Sequence, residues 1–348
     1  MKLKLIFVIS LLVFYIVENA IAQSVQIDNY LSSCNERDLF SGTALVAKGD
    51  SIIFKKGFGL ANREWNNNNA VDTRFDIGSL TKQFVTVITL QLIEEGKLTK
   101  EDVICRYIPE YREDIGKKVT IDQLLRHTSG IKPHVAIKGV DNILAQSLSK
   151  DDALRMLHSS DLEFESGERY RYNNSGYCIL VYIIEQVTSK SFEHNLNERI
   201  FIPLEMKNSG LIKPDMIINN FAEGYVLGLG GYKKPKYLNP TNTYGAGGMY
   251  STAEDMFLWN RSFTTHKLLP EKYDSWFFEP YFEFHLGNGH GYSWDITTLK
   301  LKENNEVVKF AHYNGAQWGY LCETARIFTD DYYIILFTNM GHNINIWS

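Results

Sequence analysis

The sequence predicts an α+β fold in which one antiparallel sheet is built from both ends of the chain, with a helical region inserted between them. Near the start, Gly42-Thr-Ala-Leu-Val-Ala and Ser51-Ile-Ile-Phe flank the pair Gly49-Asp50, which is the pattern of a hairpin. Near the end, aromatic and β-branched residues recur in stretches separated by polar turns, at 292–301, 307–311, 320–328 and 332–339. The strand signal is weak between about 102 and 262, so both ends should supply the strands.

The predicted helices carry apolar residues at helical spacing. The first covers residues 27–39, and the second covers residues 84–98, is apolar on nearly every side and closes at Gly96. A helix that is apolar all round is buried, so the second helix should lie at the centre of the protein. Further helices are predicted at 121–126, 151–158 and 177–188, with loops at 128–132 and 165–172.

The composition limits the classes of function. The chain has 348 residues, of which 44% are hydrophobic and 22% charged, as in a globular protein with a sizeable core. Its net charge is −5 and it has no long run of Lys or Arg, which argues against nucleic acid as a partner. Neither HExxH nor CxxC occurs, so we expect no metal and no cofactor. The four cysteines are widely spaced, and pairing or free thiols both remain open.

The first 22 residues have the pattern of a secretory signal. Lys2 and Lys4 precede an apolar run, and Ala20-Ile-Ala22 is a small-x-small cleavage site. We predict residues 1–22 as a signal peptide and 23–348 as one hydrolase domain, exported to the periplasm or the extracellular space, with no stable membrane span after cleavage. The alternative is an uncleaved anchor, for which the apolar run is short.

Three serines stand three residues before a lysine: Ser79, Ser129 and Ser147. On a helix this spacing places an amine on the same side as the hydroxyl, where it can accept the hydroxyl proton. Ser129 is followed closely by glycine and proline, which disfavour a helix, and Ser147 precedes the predicted cap of the next helix. Those two matches are interpreted as accidental.

Ser79 has a chemical reason for its position. It follows Gly78 and opens the buried helix, where unpaired backbone N–H groups favour a developing oxyanion. A helix cap followed by a solvated lysine is the ordinary interpretation of such a pair, but Lys82 falls just inside a helix predicted to be buried. Burial lowers the pKa of a lysine or demands a partner for it, and either state suits a proton acceptor.

At this point the chain resembles the serine β-lactamase and penicillin-recognising family, in its class C β-lactamase, D-aminopeptidase and esterase branch. The resemblance covers about residues 23–341 and would give the chain a β-lactamase/transpeptidase-like fold. It rests on ordered blocks: Phe40-Ser-Gly-Thr-Ala-Leu-Val, Ile77-Gly-Ser-Leu-Thr-Lys-Gln-Phe84, Leu124-Leu-Arg-His-Thr-Ser-Gly130, Ser166-Gly-Glu-Arg-Tyr-Arg-Tyr-Asn-Asn174, Pro203-Leu-Glu-Met206 and Gly245-Ala-Gly-Gly-Met-Tyr-Ser-Thr-Ala-Glu-Asp255. The Ser-x-x-Lys element is the family's catalytic motif.

The resemblance implies a Tyr-x-Asn element, which both Tyr172-Asn-Asn174 and Tyr237-Leu-Asn239 match. We favour Tyr172, because it follows the turn-like Ser166-Gly-Glu and leads into an apolar helix. To act as a base, Tyr172 would need the cation of Lys82 to lower its pKa. Asn174 would hydrogen-bond Lys82 and the substrate amide.

The resemblance also implies a strand bearing Lys-Thr-Gly or His-x-Gly beside the site. Here the stretch is His312-Tyr-Asn-Gly315-Ala316, with one more residue than usual between His and Gly. If that residue forms a bulge, the second oxyanion N–H belongs to Ala316, and otherwise to Gly315. His312 would contact the substrate carboxylate or the tyrosine.

The predicted function is an exported serine hydrolase that forms an acyl-enzyme on Ser79 with a small-molecule or peptide amide or ester. An esterase or D-peptidase is favoured over a dedicated β-lactamase. A non-catalytic relative that binds peptidoglycan fragments or a protein partner is the alternative, and a structural envelope protein is the third possibility. The chain stops shortly after the last predicted strand, so the family's closing helix is expected to be missing and the sheet partly uncovered.

Overall fold

A computed structural model of the chain describes residues 22–133, 145–148, 152–153, 156, 161–228, 230–285, 288–300 and 307–342. The strands within these ranges are, in chain order, β1 (Gly42–Lys48), β2 (Ser51–Phe58), β3 (Leu60–Asn62), β4 (Asn67–Asn68), β5 (Phe75–Asp76), β6 (Gly210–Leu211), β7 (Tyr225–Gly228), β8 (Gly231–Lys233), β9 (Met249–Ser251), β10 (Phe282–His285), β11 (Asn288–Gly291), β12 (Trp294–Lys300), β13 (Val307–Gln317), β14 (Tyr320–Ile327), β15 (Tyr332–Thr338) and β16 (Met340–His342).

The α-helices are α1 (22–36), α2 (Thr81–Glu94), α3 (Glu113–Gly116), α4 (Ile121–Leu125), α5 (Asn174–Thr188), α6 (Phe192–Leu196), α7 (Ile202–Leu204), α8 (Ala253–Thr265) and α9 (Asp274–Phe278). No helix of the described ranges has the length and apolar character needed to cross a membrane.

The largest element is an eight-stranded antiparallel sheet with the order β10-β11-β12-β13-β14-β15-β1-β2. Strand β1 lies between β2 and β15, with Leu45 opposite Ile335. The two ends of the chain are therefore joined within one sheet, and all the helices except α1 come from the segment between them. This confirms the predicted fold class.

The two faces of this sheet pack against different layers. Residues of one face, such as Ala47 and Phe337, belong to the main core together with the helices α2, α5 and α8. Residues of the other face, such as Val46 and Phe58, form a smaller cluster with Leu31 of α1. Strand side chains alternate between the faces, so each of these strands serves both layers.

Helix α2 is the central element, as its sequence predicts. Eleven of its 14 residues are buried. Phe84 stacks on Trp259 of α8 at 4.0 Å between ring centroids, and the indole N–H of Trp259 donates to Gln83 Oε1 at 3.0 Å. The helix begins at Thr81, three residues before the predicted start, because Thr81 Oγ1 donates to Gly78 O at 2.7 Å and continues the preceding turn.

Some of the other predicted helices and strands are confirmed, and some short strands were not predicted. The helices predicted at 121–126 and 177–188 are present as α4 and α5, and the four C-terminal strands are present. The strands β5 to β9, of two to four residues each, were not predicted, because such short strands carry no readable alternation. Most of the helix predicted at 151–158, nearly all of the signal segment and the end of the chain past residue 342 lie outside the described residues.

Strand β13 packs directly on the turn that carries Ser79. A Cβ on Gly315 would lie 1.9 Å from Ile77 O, so no side chain fits there. Gly78 has φ +49°, and a Cβ on it would lie 3.0 Å from the carbonyl carbon of Ala316. Two glycines thus let strand and turn approach backbone to backbone.

Replacing Gly315 with alanine tests this contact. We expect Gly315→Ala to lower the free energy of unfolding by about 1–3 kcal/mol, because Ile77 or the strand must shift to admit the methyl group. Urea unfolding measures the change. The control is Asn314→Ala, at the exposed neighbouring position, where a change of less than about 0.5 kcal/mol is expected. Equal losses in both variants would contradict the contact.

Candidate active site

Ser79 sits in a 3₁₀ turn, Gly78–Leu80, that runs straight into α2. The turn is held from both sides: Ile77 N–H donates to Met249 O at 3.0 Å, and Gly78 N–H donates to Asp76 Oδ1 at 2.8 Å. The serine hydroxyl is therefore presented at the amino-terminal end of a rigid, buried helix.

Lys82 lies one turn further along and is fully buried. Its ammonium nitrogen donates to Ser79 Oγ at 3.0 Å and to Ala246 O at 2.6 Å. No carboxylate pairs with it in the described part of the chain. Burial without a counter-ion disfavours the charged form and lowers the pKa of Lys82 to about 7. A substantial fraction of the lysine is then a neutral amine near neutral pH.

Tyr172 completes the cluster. Its hydroxyl lies 2.7 Å from Ser79 Oγ, and its ring centre lies 4.9 Å from Lys82 Nζ. Tyr237, the other candidate, is 61% exposed. Burial raises the pKa of Tyr172 well above its ordinary value, so the phenol keeps its proton. The expectation that Lys82 would lower this pKa is wrong, since burial outweighs the nearby amine.

Asn174 does not make the expected hydrogen bond to Lys82. The ammonium is directed to Ser79 and Ala246 instead, and Asn174 Oδ1 is buried with no hydrogen-bond partner among the described residues. Asn173 has a different role: it caps α5, with its side-chain oxygen accepting the N–H of Ser175 at 2.8 Å.

His312 lies on β13 but does not contact Tyr172 as expected. Its ring hydrogen-bonds Glu323 at 3.0 Å and Thr297 at 3.2 Å, and the Glu323 carboxylate raises the pKa of His312. The neighbouring residue Tyr313 faces the site instead. The hydroxyl of Tyr313 is buried and lies close to Tyr172, but the two hydroxyls do not meet the geometry of an ordinary hydrogen bond. Successive strand residues point to opposite faces, so a shift of one position exchanges the two side chains.

The pairing of β13 identifies which backbone N–H is free. The register with β14 has no shift, so the extra residue does not form a bulge, and the sequence analysis then assigns the donor to Gly315. A two-residue turn joins the strands, so Gln317 and Tyr320, which flank it, form a hydrogen-bonded pair. Such pairs alternate along an antiparallel ladder, so Gly315 and Cys322 form the next hydrogen-bonded pair. Gly315 N–H is therefore used within the sheet. The N–H of Ala316 points away from β14, on the side where Gly78 packs.

Four groups of the site were missed by the sequence analysis: the Ala246 carbonyl, the Asp76 carboxyl, Tyr313 and His127. Ala246 and His127 lie in blocks that carry the family resemblance, but their contacts are with distant segments, whereas Asp76 immediately precedes another block and makes a local contact with Gly78. The blocks themselves were the available signal. Within the described ranges, no group of three or more His, Cys, Asp or Glu side chains could hold a metal ion.

Comparison with known proteins decides the family. A model of the β-lactamase family matches residues 17–345. The chain belongs to the β-lactamase family.

Individual members of the family resemble it over most of its length. A putative penicillin-binding protein, PbpX, of Bacillus subtilis (strain 168) is 31% identical over 71% of this chain and 60% of its own. A teichoic acid D-alanine hydrolase of Staphylococcus aureus (strain MRSA252) is 30% identical over 66% and 55%. The crystal structure of a penicillin binding protein from Bacillus halodurans superposes with a TM-score of 0.76, at 27% identity, over 89% of this chain and 94% of that one. The chain thus spans somewhat more than half the length of these two curated relatives.

The buried amine predicts the pH dependence of reactions at Ser79. If neutral Lys82 accepts the serine proton, labelling by a fluorophosphonate should slow by about tenfold per pH unit below 7 and level off above it, because the ammonium has no free electron pair. The rate of mass increase measures this profile. Tyr172→Phe should keep the same midpoint, because the titrating group is Lys82. A profile that is flat from about pH 5 to about pH 9 would contradict the assignment.

Asp76 predicts a pH dependence of stability. Burial raises the pKa of this carboxyl from 3.8 to about 7. Between these values the folded state binds a proton that the unfolded state releases, so the contribution of Asp76 to stability falls as pH rises. Asp76→Asn keeps an oxygen for Gly78 N–H but cannot ionise. The difference in free energy of unfolding, variant minus wild type, should grow by about 1.4 kcal/mol per pH unit in this window.

Urea unfolding at several pH values measures that difference. Asp330→Asn, on an exposed turn, serves as the control and should show a constant difference from wild type. A constant difference for Asp76→Asn as well would show that the carboxyl is already ionised in the folded protein.

Proposed function

We propose that this chain is an exported serine hydrolase that cleaves an amide or ester through an acyl-enzyme on Ser79. One observation carries the proposal: the Ser79 hydroxyl lies within hydrogen-bonding distance of both the Lys82 amine, at 3.0 Å, and the Tyr172 hydroxyl, at 2.7 Å. A nucleophile held between a base and a proton donor is the arrangement that covalent catalysis requires.

In the first step, neutral Lys82 accepts the proton of Ser79 as Oγ attacks the scissile carbonyl carbon. The negative charge that develops on the carbonyl oxygen is held by the N–H groups of Ser79 and Ala316, a type of contact that contributes about 3–4 kcal/mol in comparable sites. When the bond to the leaving group breaks, Tyr172 donates its proton to that group. The ammonium of Lys82 then gives a proton to the tyrosinate, which leaves both groups neutral again beside the acylated serine.

Water completes the cycle. It attacks the acyl carbon, loses a proton to the same groups, and Ser79 leaves with a proton as the acid is released. The raised pKa of Tyr172 supports its role as a donor, and the lowered pKa of Lys82 supports its role as the first acceptor. No step requires a metal or an organic cofactor.

We propose esters or amides without a carboxylate beside the scissile bond as the substrate class. The β13 residue that faces Tyr172 is the phenol Tyr313, which offers no positive charge to a substrate carboxylate, while His312 is engaged by Glu323. The relative from Staphylococcus aureus is a teichoic acid D-alanine hydrolase, so D-alanyl esters are the first substrates to test. Dedicated β-lactam hydrolysis is disfavoured by the same argument.

Export is proposed from the sequence of residues 1–22, with its basic start, apolar run and cleavage site. The site as described depends on none of these residues. Activity and export can therefore be tested separately.

Intact mass spectrometry after incubation with a fluorophosphonate tests the enzyme assignment. Wild type should gain the mass of one adduct, and Ser79→Ala should gain none, because the nucleophile is gone. Ser147→Ala is the matched control, since exposed Ser147 also stands three residues before a lysine, and it should react like wild type. Release of D-alanine from a D-alanyl ester should follow the same pattern.

A wild type that gains no adduct and releases no D-alanine would leave a non-catalytic binding protein as the better description. An adduct without D-alanine release would retain the serine hydrolase and reject the D-alanyl substrate.

A further inference from the structure

We propose that His127 is the positioning residue for Tyr172, and that it places the phenol for proton transfer to the leaving group by holding the backbone on both sides of it. The inference rests on the proposed function and adds a residue to it. His127 makes no hydrogen bond to Ser79 or Lys82 among the described residues, whereas it hydrogen-bonds the backbone on both sides of Tyr172.

The peptide groups flanking Tyr172 both donate to this one histidine. Arg171 N–H donates to the backbone carbonyl of His127 at 2.8 Å, and Asn173 N–H donates to its ring nitrogen Nδ1 at 3.1 Å. With one hydrogen bond on each side of it, the backbone of Tyr172 is restrained in rotation as well as in position. Tyr172 is therefore anchored at its backbone, and its hydroxyl contacts Ser79.

The backbone of His127 has the conformation that this double contact uses. Its φ is +57°, in the left-handed region that residues other than glycine rarely occupy. Such a conformation at the end of α4 lets the carbonyl and the side chain of one residue serve the same neighbouring segment. Backbone strain of this kind persists where surrounding contacts enforce it, and it clusters at functional sites.

The imidazole ring also supports the phenol ring. Its centroid lies 4.7 Å from that of Tyr172 and 5.0 Å from that of Tyr177. Tyr177 is itself fixed, because its hydroxyl donates to Leu125 O at 3.0 Å and lies 2.7 Å from Ser293 Oγ. The imidazole ring therefore packs between the fixed ring of Tyr177 and the ring of Tyr172, and it restrains the Tyr172 ring relative to α5.

The protonation state of the ring follows from these contacts. Nδ1 accepts from Asn173, so the proton of the neutral ring is on Nε2, which is buried without a hydrogen-bond partner among the described residues. Burial, followed by the nearby charge of Lys82, keeps the pKa of His127 well below its ordinary value. The ring therefore stays neutral, and its acceptor nitrogen remains available to Asn173.

Two substitutions at His127 distinguish the role of its side-chain acceptor from that of its backbone conformation. His127→Gly tolerates the positive φ but removes acceptor and ring, whereas His127→Asn tolerates it and keeps an acceptor close to the position of Nδ1. Each is measured with a 4-nitrophenyl ester, whose leaving group departs without a proton, and with an alkyl ester of the same acid, whose leaving group needs one. Thermal unfolding of both variants checks that they are folded.

We expect His127→Gly to lower kcat/KM for the alkyl ester, which reports acylation alone, by on the order of 100-fold, as misplacement of a catalytic group by about 1 Å does, with little change for the 4-nitrophenyl ester. His127→Asn should recover at least about tenfold of that loss. In a Tyr172→Phe background, neither substitution should lower kcat/KM further, because a positioning residue has no effect without the group it positions.

Equal losses with both esters, a loss that persists in the Tyr172→Phe background, or an Asn variant no better than the Gly variant would each overturn the proposal. Should His127→Gly fail to fold, His127→Asn decides alone: any loss that it causes must disappear in the Tyr172→Phe background. The proposed function fails separately, if wild type hydrolyses neither ester or if Tyr172→Phe leaves both rates unchanged, and the positioning role then falls with it.

Discussion

The site depends on the burial of one amine. Lys82 lies at the start of a helix that is packed on all sides, and no carboxylate compensates its charge in the described part of the chain. A paired lysine would keep its ordinary high pKa and could accept no proton from a serine. Isolation in the core instead makes the neutral amine accessible near neutral pH. The same lack of water raises the pKa of Tyr172, so one environment produces both a proton acceptor and a proton donor.

The rest of the fold brings distant segments to that amine. The proposed nucleophile comes from the turn after β5, the phenol from the loop before α5, and the proposed second oxyanion N–H from β13, so three segments far apart in sequence converge. The glycines at 78 and 315 allow the closest of these approaches, since a side chain at either would separate the strand from the turn. The geometry at Ser79 is thus a property of the completed fold, although the Ser-x-x-Lys spacing itself is local.

The features that could be predicted from the sequence are those set by local spacing, and the features set by packing between distant segments could not. Ser79 and Lys82 face the same side because a helical turn dictates it, and the buried helix is visible in its apolar pattern. The expected contact between His312 and Tyr172 is not made, because successive residues of a strand face opposite sides and the pattern does not show which of His312 and Tyr313 faces inward. The left-handed conformation of His127 has no signature in residue type, and the pKa of Tyr172 depends on burial that only packing determines.

The side chains around Ser79 share one electrical property, which agrees with the proposed substrates that lack a carboxylate beside the scissile bond. With Lys82 deprotonated, the amine, the phenol of Tyr172, the buried phenol of Tyr313 and the ring of His127 are all uncharged. In the proposed mechanism, attack by Ser79 then creates two charges at once, an ammonium on Lys82 and an oxyanion at the backbone N–H groups. Opposite charges attract strongly in a medium of low dielectric, and this attraction exists only after the reaction has begun. The arrangement therefore stabilises the transition state more than the bound substrate, which is the condition for catalysis.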